Sequence, residues 1–398
     1  MEENSLKFKA VVIDNGSYLS KIGFAGEKRP RSVFHTAIGY HKHEEYMEDI
    51  AQYTQKYYVG EDMMHHKDAL ELKFPLVYRL NKTSRYYPTI SYHLAFEGWS
   101  VMEKIWHYTF YKVLNIDPSE HPVLLTESPL LRRPDREKMA EIMFETFNIP
   151  ALYIGMQAVL SAYATGRTEG AVCVVNIGDS ITSVVPMYST APLTHAIFSR
   201  ELAGRDVTNN LQQLLRQKGY SFPTSIERDI VRDIKEKLCY IALDPEKELM
   251  LSKGMSGMDR SYILPNGNPI NIDVERFLAP ECLFNPSVIG KNLEPLDELI
   301  VRAIRNCEID LERDLCGNIV LSGGSTMFPG LKERLMKKIK EQIPESVDVT
   351  IIDAPDRMYS AWIGGSIVAS LESSKKMWVT QREYKKEGPQ IIHRCSCY

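Results

Sequence analysis

Two stretches of the sequence share a pattern. Ala10-Val-Val-Ile-Asp14-Asn15-Gly16-Ser17 and Cys173-Val-Val-Asn176-Ile-Gly178-Asp179-Ser180 are each an apolar run that ends in a cluster of small polar residues and glycine. Glycine at such a turn permits positive φ and close backbone approach, while successive N–H groups and a hydroxyl make a concave donor surface suited to phosphate oxygens. One such turn is a weak signal, because most are merely turns. Two, at corresponding places in two halves of a chain, point to a polyphosphate pinched from both sides. A third glycine turn, Ser322-Gly323-Gly324-Ser325-Thr326-Met327, follows the apolar run Asn318-Ile-Val-Leu321 and precedes the amphipathic segment from Leu331 to Ile339. Strand, glycine turn and helix in that order suit a nucleotide lying against backbone. No Gly-Lys-Ser/Thr follows, so the segment is not a Walker loop.

The elements that must carry these turns are short. Both apolar runs read as buried strands, each followed by a returning strand, so each pair is expected to be a β-hairpin. Arg136 to Phe147 carries Met139, Ile142, Met143 and Phe147 at helical spacing, a stripe that belongs in a core. Ser225-Ile-Glu-Arg228 marks a capped helix start running through Ile230, Ile234 and Leu238, on which Lys235 and Glu236 would ordinarily be a solvated face. Alternation of short strands with helices makes the fold class α/β.

At 398 residues the chain exceeds what one hydrophobic core usually supports, so two domains or lobes are expected. With 44% hydrophobic and 25% charged residues and a formal net charge of -4, there is no electrostatic case for nucleic acid or an acidic membrane as direct partner. The N-terminus has neither a basic segment nor a long apolar run, and no run approaches the roughly 20 residues that span a bilayer. A cytoplasmic setting follows, with the nucleus equally compatible. Seven cysteines fall singly at Cys173, Cys239, Cys282, Cys307 and Cys316, and close together only at Cys395 and Cys397. That spacing is neither a disulfide framework nor a zinc site, and buried free thiols are expected. The tail Cys395-Ser-Cys-Tyr398 formally fits a prenylation box, but its middle residues are not aliphatic and Tyr398 is an atypical last residue.

Many blocks in order resemble the actin family. They include Asp14-Asn-Gly-Ser17 with Lys21-Ile-Gly-Phe-Ala-Gly26, Met102-Glu-Lys-Ile-Trp106, His121-Pro-Val-Leu-Leu-Thr-Glu127, Ala203-Gly-Arg-Asp206, Ile230-Val-Arg-Asp-Ile-Lys-Glu-Lys-Leu-Cys-Tyr240, Leu321-Ser-Gly-Gly324 and Trp362-Ile-Gly-Gly-Ser366. The resemblance runs from about Val11 to Arg394. It implies the actin and hexokinase type of architecture, a duplicated ribonuclease H-like fold of two lobes and four subdomains around a central nucleotide cleft. Residues 1–35, 75–164 and 360–398 would form the first subdomain, 36–74 the second, 165–202 and 292–359 the third, and 203–291 the fourth. The implied ligand is ATP or ADP with Mg2+ or Ca2+.

Carried over residue by residue, Asp14, Gly16, Ser17 and Lys21 match the first phosphate loop of that family. There Lys21 would be a point charge on the β and γ oxygens, and Asp14 would face the cation through water. Gly178, Asp179 and Thr182 match the second loop. Lys235, Glu236, Gly324 and Met327 match residues around the adenosine, with Gly204 and Arg232 nearby. Gln157, in Gly155-Met-Gln-Ala-Val-Leu160, matches the glutamine that positions the attacking water, a role for a side chain that both donates and accepts hydrogen bonds.

Four departures sit at the chemistry. Asn176 stands where the family has a second aspartate that orders water around the metal, and Ser183 where it has a histidine near the attacking water. Tyr18 replaces a glycine of the first loop, and Met358 a lysine beside the adenine. Together they imply retained or weakened nucleotide binding with strongly reduced hydrolysis. Two surface departures bear on assembly. Tyr40 to Ile50 is longer and more acidic than the family's loop for the next protomer, with Glu44, Glu45, Glu48 and Asp49 costly to bury in an apolar groove unless paired. The stretch between Pro75 and Met102 is also longer, and its cations and tyrosines fit an interface or a loose loop alike. The leading expectation is a structural subunit working with actin-like or other cytoskeletal proteins. A filament-forming ATPase stays open beside it, and a sugar kinase of the same fold is disfavoured because no base for a sugar hydroxyl stands out.

Overall fold

The computed structural model describes residues 9–41, 57–80, 92–96, 98–129, 131–252 and 260–395. The chain divides into two compact units. The first is Met1–Glu169, Tyr188–Pro192 and Tyr359–Tyr398, and the second is Gly170–Met187 and Leu193–Met358.

In the first unit, strands β1 (Val11–Asn15), β2 (Leu19–Phe24), β3 (Ser32–His35), β4 (Val123–Glu127) and β5 (Ala151–Met156) join one sheet in the order β5-β4-β1-β2-β3, with Val379–Thr380 beyond β5. Strands β1, β4 and β5 are parallel, and β1 returns antiparallel into β2 as a hairpin. The Val-Val-Ile run of β1 and the Val-Leu-Leu run of β4 are wholly buried, as strands covered on both faces must be. Helices α1 (Trp99–Tyr108), α2 (Arg133–Glu141) and α3 (Gln157–Ala164), with helix Ser360–Ser370, flank this sheet, and Trp106, Phe110 and Trp362 are fully buried in the same core.

The second unit repeats the plan. Strands β6 (Ala171–Ile177), β7 (Thr182–Tyr188), β8 (Phe198–Arg200), β9 (Ile319–Ser322) and β10 (Ile351–Ile352) pair in the order β10-β9-β6-β7, with β8 antiparallel to β7. Strand β6 is parallel to β9, and β9 to β10. Each strand of the second set therefore has a counterpart in the first, and the two hairpins close alike. Gly16 N donates to Leu19 O at 3.0 Å, and Gly178 N donates to Ile181 O at 2.9 Å. Helices α4 (Gly204–Gln217), α5 (Ser225–Leu238) and α6 (Leu331–Lys340) complete the elements that bear on function.

Both expected hairpins are present, as is the order of strand, glycine turn and helix around residue 324. Three local expectations shift. The cap of α5 is Thr224, one residue earlier than the sequence indicates, with Glu227 closing the capping box. The segment expected as one helix from Arg136 to Phe147 is α2 followed by a wider π turn over Ile142–Thr146. The long stretch after Pro75 contains paired antiparallel strands Leu76–Leu80 and Tyr92–Phe96, while Lys82, Arg85, Tyr86 and Tyr87 lie outside the described residues, as do residues 42–50 of the acidic segment and Cys397. Cys173, Cys239, Cys282 and Cys316 are buried free thiols, and Cys307 is half-buried. Among the described residues no helix is long and apolar enough to cross a membrane.

Candidate functional site

The first set of candidate residues gathers at the carboxyl ends of β1, β4 and β5, the edge at which parallel α/β sheets bind ligands. Asp14 ends the buried part of β1, and Lys21 stands directly opposite it on β2. The Lys21 ammonium donates to Asp14 Oδ2 at 2.9 Å. Asp14 Oδ1 accepts from Thr126 Oγ1 at 2.6 Å and from Gln157 Nε2 at 2.9 Å. Burial by itself would raise the Asp14 carboxyl, but Lys21 and the donors Thr126 and Gln157 outweigh it and hold the group below the usual carboxylate range. Asp14 is thus a committed anion at neutral pH. Glu127, the next residue of β4, is tied to Arg136 of α2 by two bonds of 2.8 and 2.5 Å, a buried fork that fixes the end of this strand.

The turn between β1 and β2, with half-buried Gly16 and Ser17, is braced from several sides. Trp106 Nε1 donates to Asn15 Oδ1 at 2.9 Å, Asn15 Nδ2 donates to Ser20 Oγ at 2.9 Å, and Ser20 Oγ bonds Thr36 Oγ1 at 2.8 Å. A β-carbon at Gly16 would stand 2.8 Å from Leu19 O, so the turn is as tight as its hydrogen bond requires.

Tyr18 in the same turn bonds His35 Nε2 through its hydroxyl at 2.7 Å. Burial, with the nearby charge of Lys67, presses the His35 imidazole down from the ordinary 6.5 to about 4. Between these two values the unfolded chain takes up a proton that the folded chain refuses. His35 therefore costs nothing above about pH 6.5, and its cost grows as pH falls to about 4, reaching about 3 kcal/mol there. Urea unfolding midpoints of the native chain and of His35→Gln should diverge over that window, with the native chain losing more. Parallel pH profiles would show that His35 protonates freely in the folded state.

The second set sits around the turn between β6 and β7. Asp179 accepts from Arg205 Nε at 3.0 Å and from Arg232 Nη2 at 3.2 Å, and its own carbonyl accepts from Arg205 N at 2.7 Å. Gly178 O accepts from Ser325 Oγ at 2.7 Å and from Gly204 N at 3.1 Å. Lys235 Nζ donates to Gly204 O at 3.3 Å. The start of α4, the face of α5 and the third glycine turn therefore converge on one hairpin. Burial, and then the neighbouring Arg232, lower the Lys235 ammonium, and burial lowers Arg232 to about 10, which leaves the guanidinium charged at neutral pH. Gly323 fits only as glycine, since its φ is +92° and a β-carbon would stand 2.4 Å from Ile177 O and 2.6 Å from Asn176 Oδ1.

Several candidate residues are placed otherwise than their types indicate. Lys235 is buried rather than solvated, whereas its neighbour Glu236 is exposed. The Thr182 hydroxyl is buried and donates to Leu202 O at 2.6 Å. Ser183 is 1% exposed and its Oγ has no hydrogen-bond partner among the described residues. Gly324 and Met327 lie exposed on a short turn of helix, and around Gly324 a β-carbon would meet nothing within 4 Å. Thr126, Arg205 and Ser325 take part in the two clusters although none of them stands out by residue type. Thr126 and Arg205 do stand inside resembling blocks, His121 to Glu127 and Ala203 to Asp206.

The arrangement is suited to holding anions. Lys21 and the amides of one turn, and Arg205, Arg232 and Lys235 beside the other, supply positive charge next to glycines that a ligand can approach. Gly324 with Met327 offers backbone and an apolar side chain to a flat ring. Among the described residues no group of three His, Cys, Asp or Glu is placed to hold a metal ion. A divalent cation here would fit only as one that keeps waters and takes oxygens from a bound phosphate.

The two units are thus α/β folds of one plan, each with a glycine hairpin at the sheet edge that bears the candidate residues. Residues 5–397 match the model of the actin family, and the chain belongs to that family.

Proposed function

We propose that the chain binds an adenine nucleotide with a divalent cation, hydrolyses it very slowly, and serves as a nucleotide-clamped structural subunit in assemblies with actin-like or other cytoskeletal proteins of the cytoplasm. In this reading the fold has four subdomains around a central cleft, and both glycine turns take phosphates of one nucleotide. The observation that carries it is the pair Asp14 and Lys21 beside one turn, matched by Arg232 and Lys235 beside the other. Lys21 and the Ser17 amide would hold phosphate oxygens, with Gly16 allowing close approach, Asp14 would face the cation through water, and Gly204, Lys235, Glu236, Gly324 and Met327 would border the adenosine. The bound cation supplies charge neutralisation for the phosphates.

Slow hydrolysis relative to the family rests on the departures at positions 176 and 183, since Gln157 matches the family's glutamine. The amides of Gln157 and Asn176 and the hydroxyl of Ser183 can orient water, but none accepts a proton near neutral pH. Losing a group that orients or deprotonates the attacking water costs about 10² to 10⁴ in rate. Single-turnover phosphate release from ATP-loaded protein is expected to be at least about 10²-fold slower than from conventional actin; an equal rate would refute reduced hydrolysis. Binding itself is tested by thermal unfolding with Mg-ATP. Saturation at about 100 times the dissociation constant adds about 2.7 kcal/mol, and an unmoved transition, together with extracted protein that carries no purine, would refute the nucleotide.

A further inference from the structure

We propose that Tyr18 and His35 form a latch that holds the first glycine turn against strand β3 and slows nucleotide release. The inference rests on the nucleotide-binding reading above and adds a residue pair to it. Tyr18 stands where the family has glycine, the residue that leaves a turn most freedom. Among the described residues, both the side chain and the carbonyl of this position are anchored. The hydroxyl and His35 Nε2 are 2.7 Å apart with the rings edge to face at 4.6 Å between centroids, and the Tyr18 carbonyl accepts from Thr36 N at 2.8 Å. The bond between Ser20 Oγ and Thr36 Oγ1 ties the other side of the turn to the same strand end. The turn from Gly16 to Leu19, which carries the amide proposed to meet phosphate, is thus pinned before any ligand arrives.

A donor surface held in its binding shape loses little freedom when it binds, and such preorganisation acts chiefly on dissociation. The neutral imidazole enforced by burial keeps this contact a simple hydrogen bond at neutral pH. One hydrogen bond of this kind corresponds to about a threefold to tenfold change in an equilibrium.

The test is stopped-flow release of a fluorescent ATP analogue chased with excess ATP, on the full chain. Tyr18→Phe, which keeps the ring and removes the hydroxyl, and His35→Ala should each speed release about threefold to tenfold. The double variant should release no faster than either single one, and His35→Gln, which can still bond the phenol, should restore slow release. Adenosine, lacking phosphate, should bind all four variants as it binds the native chain. Unchanged release from Tyr18→Phe and His35→Ala, or equal losses for adenosine, would overturn the latch while leaving nucleotide binding intact. A native chain that retains no analogue would instead overturn the reading beneath it. Should His35→Ala fold poorly, Tyr18→Phe against His35→Gln gives the same comparison.

Discussion

Gly364→Ala is expected to leave the first unit largely unfolded, at a cost on the order of 4–5 kcal/mol, a size reached only when packing or backbone is broken. A β-carbon at Gly364 would stand 1.7 Å from Leu160 O and 2.4 Å from its carbonyl carbon. Helix Ser360–Ser370 and α3 therefore touch main chain to main chain. Intrinsic propensity argues the other way, since alanine is favoured over glycine in a helix interior by about 1 kcal/mol. The steric term wins because a carbonyl cannot rotate aside as a side chain can, so one helix must shift by on the order of 1 Å against a close-packed core. Leu160 also packs against Gly155 and Gly365, where β-carbons would stand 3.1 and 3.7 Å from its Cδ1. Because α3 begins at Gln157, the same shift would draw that amide off Asp14 and disturb the candidate site. Gly317→Ala is the matched control, at the end of helix Ile309–Gly317, where a β-carbon would meet nothing within 4 Å. Urea unfolding should show the control close to the native midpoint and Gly364→Ala far below it. Similar midpoints would mean that the two helices separate at little cost.

The parts of this fold that are legible in the sequence are those written in local pattern. Val11-Val-Ile13 and Val172 to Val175 announce buried strands because β-branched runs suit a sheet covered on both faces, and each glycine turn marks where the strand must end. What joins the turns to their surroundings is not local. Thr126 meets Asp14 only because β4 lies beside β1 in parallel, across 112 residues of chain. Lys235 reads as solvated by its type, yet the packing of α5 on the second hairpin buries its stem and brings its ammonium to Gly204 O. Arg205 looks like an ordinary first-turn residue of α4, and its pairing with Asp179 depends on where that helix starts relative to the turn. The one-residue error at the cap of α5 has a simpler cause, since Thr224 and Ser225 are both good caps and only the reciprocal bond to Glu227 decides between them.

Asp14→Asn is expected to collapse the cation dependence of nucleotide binding. An asparagine oxygen can replace Oδ1 and keep the bonds from Thr126 and Gln157. Its amide nitrogen would then face the Lys21 ammonium, donor against donor, where Oδ2 now accepts at 2.9 Å. Breaking a buried pair in this way costs about 3–5 kcal/mol. The lower end applies, because the Lys21 side chain keeps 15% exposure and water can reach it. The effect on a ligand has two opposed parts. Without a divalent cation, the native carboxylate both repels phosphate and occupies Lys21, so its removal should tighten ATP binding in chelator. With the cation, the variant lacks a unit of negative charge, worth at most about 4 kcal/mol at 4 Å and an effective dielectric near 20, and less through a water. Even about 2 kcal/mol is roughly 30-fold in affinity. Titration calorimetry with ATP should therefore give a ratio of dissociation constants, chelator over magnesium, that is smaller in Asp14→Asn than in the native chain by about 30-fold or more. An unchanged ratio would place the cation's main contacts elsewhere, and Asp14 would then serve only to hold Lys21, Thr126 and Gln157 in register.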